Sequence, residues 1–115
     1  MNIKDSSITV NVKDLDKSIF FYESIGFTLK DRWDKYYALL SSPGLTIGLH
    51  PTDSEHLKDN SGNVSIGLAV NNFEETKSEL QKLAISMTER KEEGGLFIHF
   101  NDPDGTALFF IKPKW

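Results

Sequence analysis

Residues 7–18 read Ser-Ile-Thr-Val-Asn-Val-Lys-Asp-Leu-Asp-Lys-Ser, and residues 65–76 read Ser-Ile-Gly-Leu-Ala-Val-Asn-Asn-Phe-Glu-Glu-Thr. The two stretches align without a gap. A second similarity joins residues 42–49, Ser-Pro-Gly-Leu-Thr-Ile-Gly-Leu, to residues 103–110, Pro-Asp-Gly-Thr-Ala-Leu-Phe-Phe. Self-similarity of this kind indicates a duplicated structural unit, and such a repeat determines the whole fold.

The composition is that of an ordinary globular protein. Of the 115 residues, 38% are hydrophobic and 26% are charged, the net charge is −4, and there is no cysteine. The length predicts one domain, residues 1–115, with a first repeat at about 6–50, a linker at about 51–63 and a second repeat at about 64–115. The acidic balance disfavours nucleic acid, and the lack of a long apolar run disfavours a membrane. With no signal peptide in the sequence, we expect a cytoplasmic protein.

Each repeat has the pattern of a strand, a helix and three further strands. In the first repeat, apolar and polar residues alternate over 8–12, a helix begins at Asp14 or Asp16, and Gly26 follows its end. The remaining elements are strands at 27–33, 36–41 and 45–50, then a strand at 64–70, a helix at 73–83 and strands at 85–90, 96–101 and 107–112. The sequence therefore predicts an α+β fold. In it, two tandem βαβββ modules form one curved mixed sheet, with helices outside and a concave groove inside.

Alternation along the strands assigns side chains to the two faces of the sheet. The face under the helices should carry Ile8, Val10, Val12, Ile47, Leu49, Ile66, Leu68, Val70, Ile98, Phe100, Leu108 and Phe110. The groove should be lined by Thr9, Asn11, Tyr36, Ala38, Thr46, Gly48, His50, Gly67, Ala69, Phe97, His99, Ala107, Phe109 and Ile111. A mostly apolar lining with a few polar points is typical of a small-molecule pocket. From this lining and the rim, the predicted ligand-binding residues are Trp33, Tyr36, His50, Phe97, His99, Phe109 and Asn11.

Two motifs connect this pattern to a known superfamily. Residues 12–18, Val-Lys-Asp-Leu-Asp-Lys-Ser, are followed by Phe-Tyr at 21–22 and Gly-Phe at 26–27, and Asp-Pro-Asp-Gly at 102–105 precedes the last strand. Together with the βαβββ duplication, the pattern resembles the vicinal oxygen chelate superfamily over almost the whole chain. That superfamily contains glyoxalase I, fosfomycin-resistance proteins, extradiol dioxygenases and bleomycin-resistance proteins. The resemblance implies the fold and no particular activity, because the same fold hosts metal enzymes and plain binders.

The resemblance also implies where a metal would be held. Metal-dependent members place His, Gln or Glu at four equivalent positions, which fall on Ser7, Gly48, Ser65 and Phe109 of this chain. Sites for zinc, iron or manganese are built from imidazole, carboxylate or thiolate ligands, and none of these four residues supplies one. The sequence therefore predicts no metal, no other cofactor and no catalytic residue, and it favours a binding protein over an enzyme.

Three hypotheses for the function remain open. The first is a glyoxalase/bleomycin-resistance-like protein that binds a small planar or aromatic molecule in the groove without a metal, as the bleomycin-resistance branch does. The second is a metal-dependent lyase, isomerase or dioxygenase with a displaced site made from His50 and His99, since imidazole titrates near neutral pH. The third is a dimeric module without a small ligand. His56 falls in the polar linker.

A homodimer is expected on two grounds. The resemblance implies it, because superfamily members are similar in building the groove across two chains. Independently, the predicted groove leaves the large aromatic side chains of Trp33, Tyr37 and Trp115 near an edge, where a second copy could cover them.

Overall fold

The computed structural model describes residues 1–53, 64–92 and 95–113. The chain divides into two compact units, Met1–Asn60 and Ser61–Trp115, and we call them module 1 and module 2. In the described ranges, no helix has the length and the apolar character needed to cross a membrane.

Module 1 consists of β1 (Ile8–Val12), α1 (Leu15–Ser24), β2 (Thr28–Trp33), β3 (Tyr37–Ser42) and β4 (Leu45–Pro51). The four strands form one sheet in the order β1-β4-β3-β2, in which β1 is parallel to β4 and the other pairs are antiparallel. The helix begins after Asp14, whose carboxylate accepts a hydrogen bond from the backbone N–H of Lys17 at 3.1 Å. This cap satisfies a backbone donor that has no partner within the helix.

Module 2 repeats this arrangement with β5 (Ser65–Ala69), α2 (Phe73–Lys82), β6 (Met87–Glu92), β7 (Gly95–Asn101) and β8 (Ala107–Pro113). Its sheet has the order β5-β8-β7-β6. Asn72 caps α2 by accepting a hydrogen bond from the backbone N–H of Glu75 at 3.0 Å. Before β8, the buried carboxylate of Asp102 accepts hydrogen bonds from the backbone N–H groups of Asp104 at 2.9 Å and Thr106 at 2.8 Å. The Asp-Pro-Asp-Gly motif is therefore a turn held by its own first side chain.

Each sheet buries the face that carries its own helix. The buried apolar residues of module 1 include Val10, Val12, Leu15, Ile19, Tyr22, Phe27, Ala38, Leu40, Ile47 and Leu49. Those of module 2 include Ile66, Phe73, Leu80, Ile98, Phe100, Leu108 and Phe110, whereas Ile111 is buried on the opposite face, where it is paired with Phe97. Removing such side chains from water is the main term that stabilises each module.

One ion pair in each module connects the helix to the edge strand of the sheet. Arg32 contacts Asp16 at 2.7 Å in module 1, and Lys77 contacts Glu89 at 2.7 Å in module 2. A hydrogen bond to Glu89 raises the pKa of Lys77. Both pairs are largely solvated, so they contribute little to stability and act mainly as orientation contacts.

The predicted α+β fold with two βαβββ modules is confirmed. The described strands form two four-stranded sheets, one in each module, and their union into one curved sheet within one domain stays a prediction. Most of the predicted core is buried, but Ile8 is 40% exposed and Leu68 and Val70 are half-buried. His56 and Trp115, and most of the predicted linker, lie outside the described residues.

Candidate functional site

Tyr37 is the centre of an aromatic cluster on the face of module 1 opposite α1. We call this the helix-free face of the module. The ring centroid of Tyr37 lies 5.9 Å from that of Trp33 and 6.4 Å from that of His50. Its hydroxyl lies 2.9 Å from Oγ1 of Thr9, which places a hydrogen bond across the sheet. The cluster therefore combines flat apolar surface with a hydroxyl pair.

Strand pairing explains why these side chains meet. Trp33 of β2 lies opposite Tyr37 of β3, and Thr9 of β1 lies opposite Gly48 of β4. Gly48 has no side chain, and a Cβ there would overlap the hydroxyl and the ring of Tyr37. The tyrosine therefore crosses β4 through the space that the glycine leaves and reaches Thr9 on the far strand.

Asn11 and His50 add polar groups to the same face. The two residues lie directly opposite each other in the parallel pairing of β1 with β4. His50 is exposed and Asn11 is half-buried. Three of the predicted ligand-binding residues of module 1, namely Trp33, His50 and Asn11, are thus brought onto one face with Tyr37.

The prediction that Tyr36 and Ala38 face the groove is wrong by one residue. Tyr36 lies in the turn between β2 and β3 and is 66% exposed, while Ala38 lies opposite Leu49 and is fully buried under α1. The helix-free positions of β3 are Tyr37 and Leu39 instead. Sequence reasoning assigned Tyr37 only to a dimer edge and missed its place in this cluster.

Module 2 carries a second aromatic cluster on its helix-free face, made by Phe97, His99 and Phe109. The imidazole of His99 stacks on Phe97 with a centroid distance of 5.9 Å and an interplanar angle of 14°. Phe109 lies 5.8 Å from Phe97 and 5.9 Å from His99. All three predicted residues of this module are therefore mutual neighbours, and each is half-buried.

A glycine again makes room for the cluster. Gly67 of β5 lies opposite Phe109 of β8, and a Cβ at position 67 would overlap the end of the Phe109 ring. The ring consequently lies across the first strand of the module. Within the cluster, Nε2 of His99 is buried and has no hydrogen-bond partner in the described part of the chain.

The residues at the four implied metal positions do not fit a divalent cation. Ser7 and Ser65 are exposed neutral hydroxyls, Gly48 lies beneath the ring of Tyr37, and Phe109 presents carbon only. In the described residues, no group of three or more His, Cys, Asp or Glu side chains could hold a metal ion. The donor chemistry that zinc, iron or manganese requires is missing from these positions.

The aromatic neighbours of His50 and His99 do not favour the hypothesis of a displaced metal site made from these two residues. His50 belongs to module 1, where its ring neighbour is Tyr37, and His99 belongs to module 2, where its ring neighbours are Phe97 and Phe109. None of these neighbours is a suitable metal ligand at neutral pH. The local surroundings of both imidazoles are those of aromatic surface.

A shallow depression of about 450 Å³ lies elsewhere in module 1. Residues 3–6 line one side of it, and Ser42, Gly44, Leu45 and Thr46 line the other. It is polar and contains none of the predicted ligand-binding residues. The aromatic clusters are therefore the better candidates for recognition, because ligand pockets combine apolar surface with a few polar groups.

Comparison with known proteins agrees with this fold. A family model described as Glyoxalase/Bleomycin resistance protein/Dioxygenase superfamily matches residues 6–110. The structure of a bleomycin-binding protein complexed with bleomycin is similar, with 21% identity, a TM-score of 0.71 and coverage of 97% of this chain and 100% of that chain. No curated protein gives a significant match.

Two further solved structures are similar as well. The fosfomycin resistance protein FosX from Listeria monocytogenes, complexed with Mn(II) and sulfate, has 25% identity, a TM-score of 0.81 and coverage of 99% of this chain and 93% of that chain. Lactoylglutathione lyase from Agrobacterium tumefaciens has 11% identity, a TM-score of 0.73 and coverage of 97% and 96%. The second of these likenesses concerns the fold alone.

Proposed function

The chain belongs to the glyoxalase/bleomycin resistance protein/dioxygenase superfamily, and from that premise we propose that it binds a small planar or aromatic molecule without a metal. One observation carries this proposal. Aromatic rings occupy the helix-free faces at the positions where the resemblance to metal-dependent members implies their ligands. Tyr37 covers Gly48, and Phe109 is itself at one of these positions. These positions therefore offer a stacking surface in place of metal ligands.

The two clusters supply what recognition of a planar molecule needs. Aromatic rings bind other rings by offset stacking and edge contacts, which add about 0.5–1.5 kcal/mol per pair beyond the area that they bury. The Tyr37–Thr9 hydroxyl pair, His50 and Asn11 then provide the polar points that orient a ligand. The bleomycin-binding protein, which has the same fold, shows that this architecture can hold a small molecule.

We test this proposal by titrating the protein with a panel of planar aromatic compounds. Trp33 is 47% exposed and contacts Tyr37, so stacking nearby should change its fluorescence. We expect saturable binding in the presence of EDTA and a raised melting temperature. The Trp33→Phe protein identifies the contribution of Trp33 to the signal.

The adjacent tyrosines give a matched pair of variants. Tyr37→Ala removes the centre of the module 1 cluster and should weaken binding at least tenfold, which corresponds to about 1.4 kcal/mol. Tyr36→Ala removes the same side chain from an exposed turn and should leave binding unchanged. A stronger effect from Tyr36→Ala would favour the original prediction for Tyr36 and contradict the cluster.

The same titration separates the other two hypotheses. If Mn(II) raises the melting temperature and His50→Ala or His99→Ala removes that effect, a metal-dependent enzyme with a displaced site replaces our proposal. If no compound in the panel changes either the fluorescence or the melting temperature, the result favours the third hypothesis, in which the protein is a dimer without a small ligand.

A further inference from the structure

A cation lies beside the aromatic cluster of module 2. In the pairing of β6 with β7, Arg90 lies opposite Phe97 and diagonal to His99, so its side chain leaves the sheet on the helix-free face. Directly opposite residues in an antiparallel pair have Cβ atoms about 5 Å apart, and diagonal neighbours about 7–8 Å apart are still within reach of a long side chain. The guanidinium of Arg90 can therefore reach a ligand that rests on Phe97.

Arg90 is exposed, and it forms no ion pair with any residue that the structure describes. Glu89 extends to the opposite face, where Lys77 contacts it at 2.7 Å. Glu92 shares the face with Arg90, and the ion pairs of the described residues do not join the two. A guanidinium presents a planar fork of N–H donors that matches a carboxylate.

The unpartnered Nε2 of His99 is a second, independent observation. A buried polar atom without a hydrogen bond is unfavourable, and a ligand that supplies the missing partner removes that cost. The imidazole is stacked on Phe97, so a planar molecule placed against the Phe97 and Phe109 rings lies beside this imidazole. An imidazole nitrogen that carries a hydrogen donates to an acceptor oxygen.

We infer that the ligand bound by module 2 is an aromatic carboxylate. Its ring rests against Phe97 and Phe109, its carboxylate pairs with Arg90, and His99 donates a hydrogen bond to it from Nε2. This inference rests on the proposed function and adds the charge of the ligand to it.

A matched pair of compounds tests the inference. Calorimetric titration of the full chain with 2-naphthoate and with 2-naphthamide compares an anion with a neutral molecule of nearly the same shape. We expect 2-naphthoate to bind about tenfold more tightly, and Arg90→Gln to abolish that preference. Lys91→Gln removes the same charge from the neighbouring residue on the other face and should preserve the preference. His99→Phe keeps a stacking ring but removes the nitrogen, and should weaken 2-naphthoate binding.

The outcomes distinguish this inference from the proposed function. Equal affinity for the acid and the amide, or equal effects of Arg90→Gln and Lys91→Gln, would overturn the inference and leave the proposed aromatic binding intact. Failure of the wild-type chain to bind either compound, together with failure of the wider aromatic panel, would overturn both.

Discussion

At the scale of single residues, glycine controls the position of the aromatic rings. A Cβ at position 48 would overlap the hydroxyl and the ring of Tyr37, and that hydroxyl lies 2.9 Å from Oγ1 of Thr9. At position 67 a Cβ would overlap the ring of Phe109. In both modules, therefore, the absence of one side chain allows a larger side chain to cross the sheet.

Gly48→Ala is expected to move Tyr37 away from β4 and to break its hydrogen bond with Thr9. Because the overlapping atoms are at the far end of a side chain that can rotate, the sheet should survive. We expect the free energy of unfolding to fall by about 1 kcal/mol, which is typical for the loss of one hydrogen bond. Urea denaturation measures this loss, and the fluorescence of Trp33 reports the movement of the neighbouring ring.

The Tyr37→Ala protein provides the control for this substitution. In that background a methyl group at position 48 meets no ring, so Gly48→Ala should cost almost nothing more. The difference between the two backgrounds is the coupling energy of the pair. Equal losses with and without Tyr37 would contradict the close contact between the tyrosine and the glycine.

At the scale of the elements, the repeat preserves the start of each helix. Asp14 and Asn72 occupy equivalent positions in the two repeats, and each side chain accepts a hydrogen bond from the backbone N–H three residues later. Asp and Asn are chemically different but equally suited to this position, since both place an oxygen within reach of the first turn. The duplication has therefore kept a function of the side chain and not its identity.

Asn72→Ala should lower the free energy of unfolding by about 1 kcal/mol, because it leaves the N–H of Glu75 without its partner. Asn71→Ala is the matched control, since Asn71 is the adjacent exposed asparagine and does not cap the helix. Urea denaturation followed by circular dichroism compares the two variants. If both cost the same, the cap contributes nothing specific to α2.

The strands also show which side-chain orientations could be predicted from the sequence and which could not. Alternation in β1 and β4 assigned most of their side chains to the correct face, and the repeat carried the same assignment to β7 and β8, whose residues are mostly apolar. In β3 it failed, because Ala38, Leu39 and Leu40 are all apolar and an alternating pattern cannot fix the register of an unbroken apolar run. The turn before β3 also contains three residues, with Asp34 at a φ of 47°, where the sequence predicted two.

This one-residue difference affected the candidate site more than the fold. The predicted site contained Tyr36 in place of Tyr37. The sequence could not decide between the two, because both residues are tyrosines. Contacts between strands could not be predicted from the sequence either. The hydrogen bond between Tyr37 and Thr9, for example, depends on the pairing of three strands and not on a local pattern. The module 2 cluster was predictable because the repeat aligns Phe109 with Gly48, and because the polar residues His99 and Asn101 fix the two faces of β7.

At the scale of the whole molecule, the two modules cover equivalent positions in different ways. Strand pairing makes Thr9 and Gly48 of module 1 equivalent to Gly67 and Phe109 of module 2. In module 1 the glycine is on the last strand and the covering ring comes from β3, whereas in module 2 the glycine is on the first strand and the ring comes from β8 itself. Two different sequence changes thus lead to the same result, a helix-free face covered by an aromatic ring.

This shared result predicts how the whole protein behaves toward metals. Native mass spectrometry of protein purified without chelator should give a homodimer, at twice the 13.0 kDa mass of the chain, whose mass shows no stoichiometric Mn(II). A stable dimer requires an interface of about 1,200 Å² or more, which aromatic side chains near an edge could supply.

The same measurement on histidine variants tests whether any bound Mn(II) is held at a specific site. Because neither His50 nor His99 has a suitable metal ligand among its ring neighbours, any bound Mn(II) should be weak and equal in His50→Ala, His99→Ala and the control His56→Ala. Added salt should then remove it, since non-specific ions are held by screened surface charge. One Mn(II) per chain that survives salt, and that is lost in the first two variants but kept in the third, would contradict the metal-free proposal. That result would support the alternative hypothesis of a displaced metal site that uses His50 and His99.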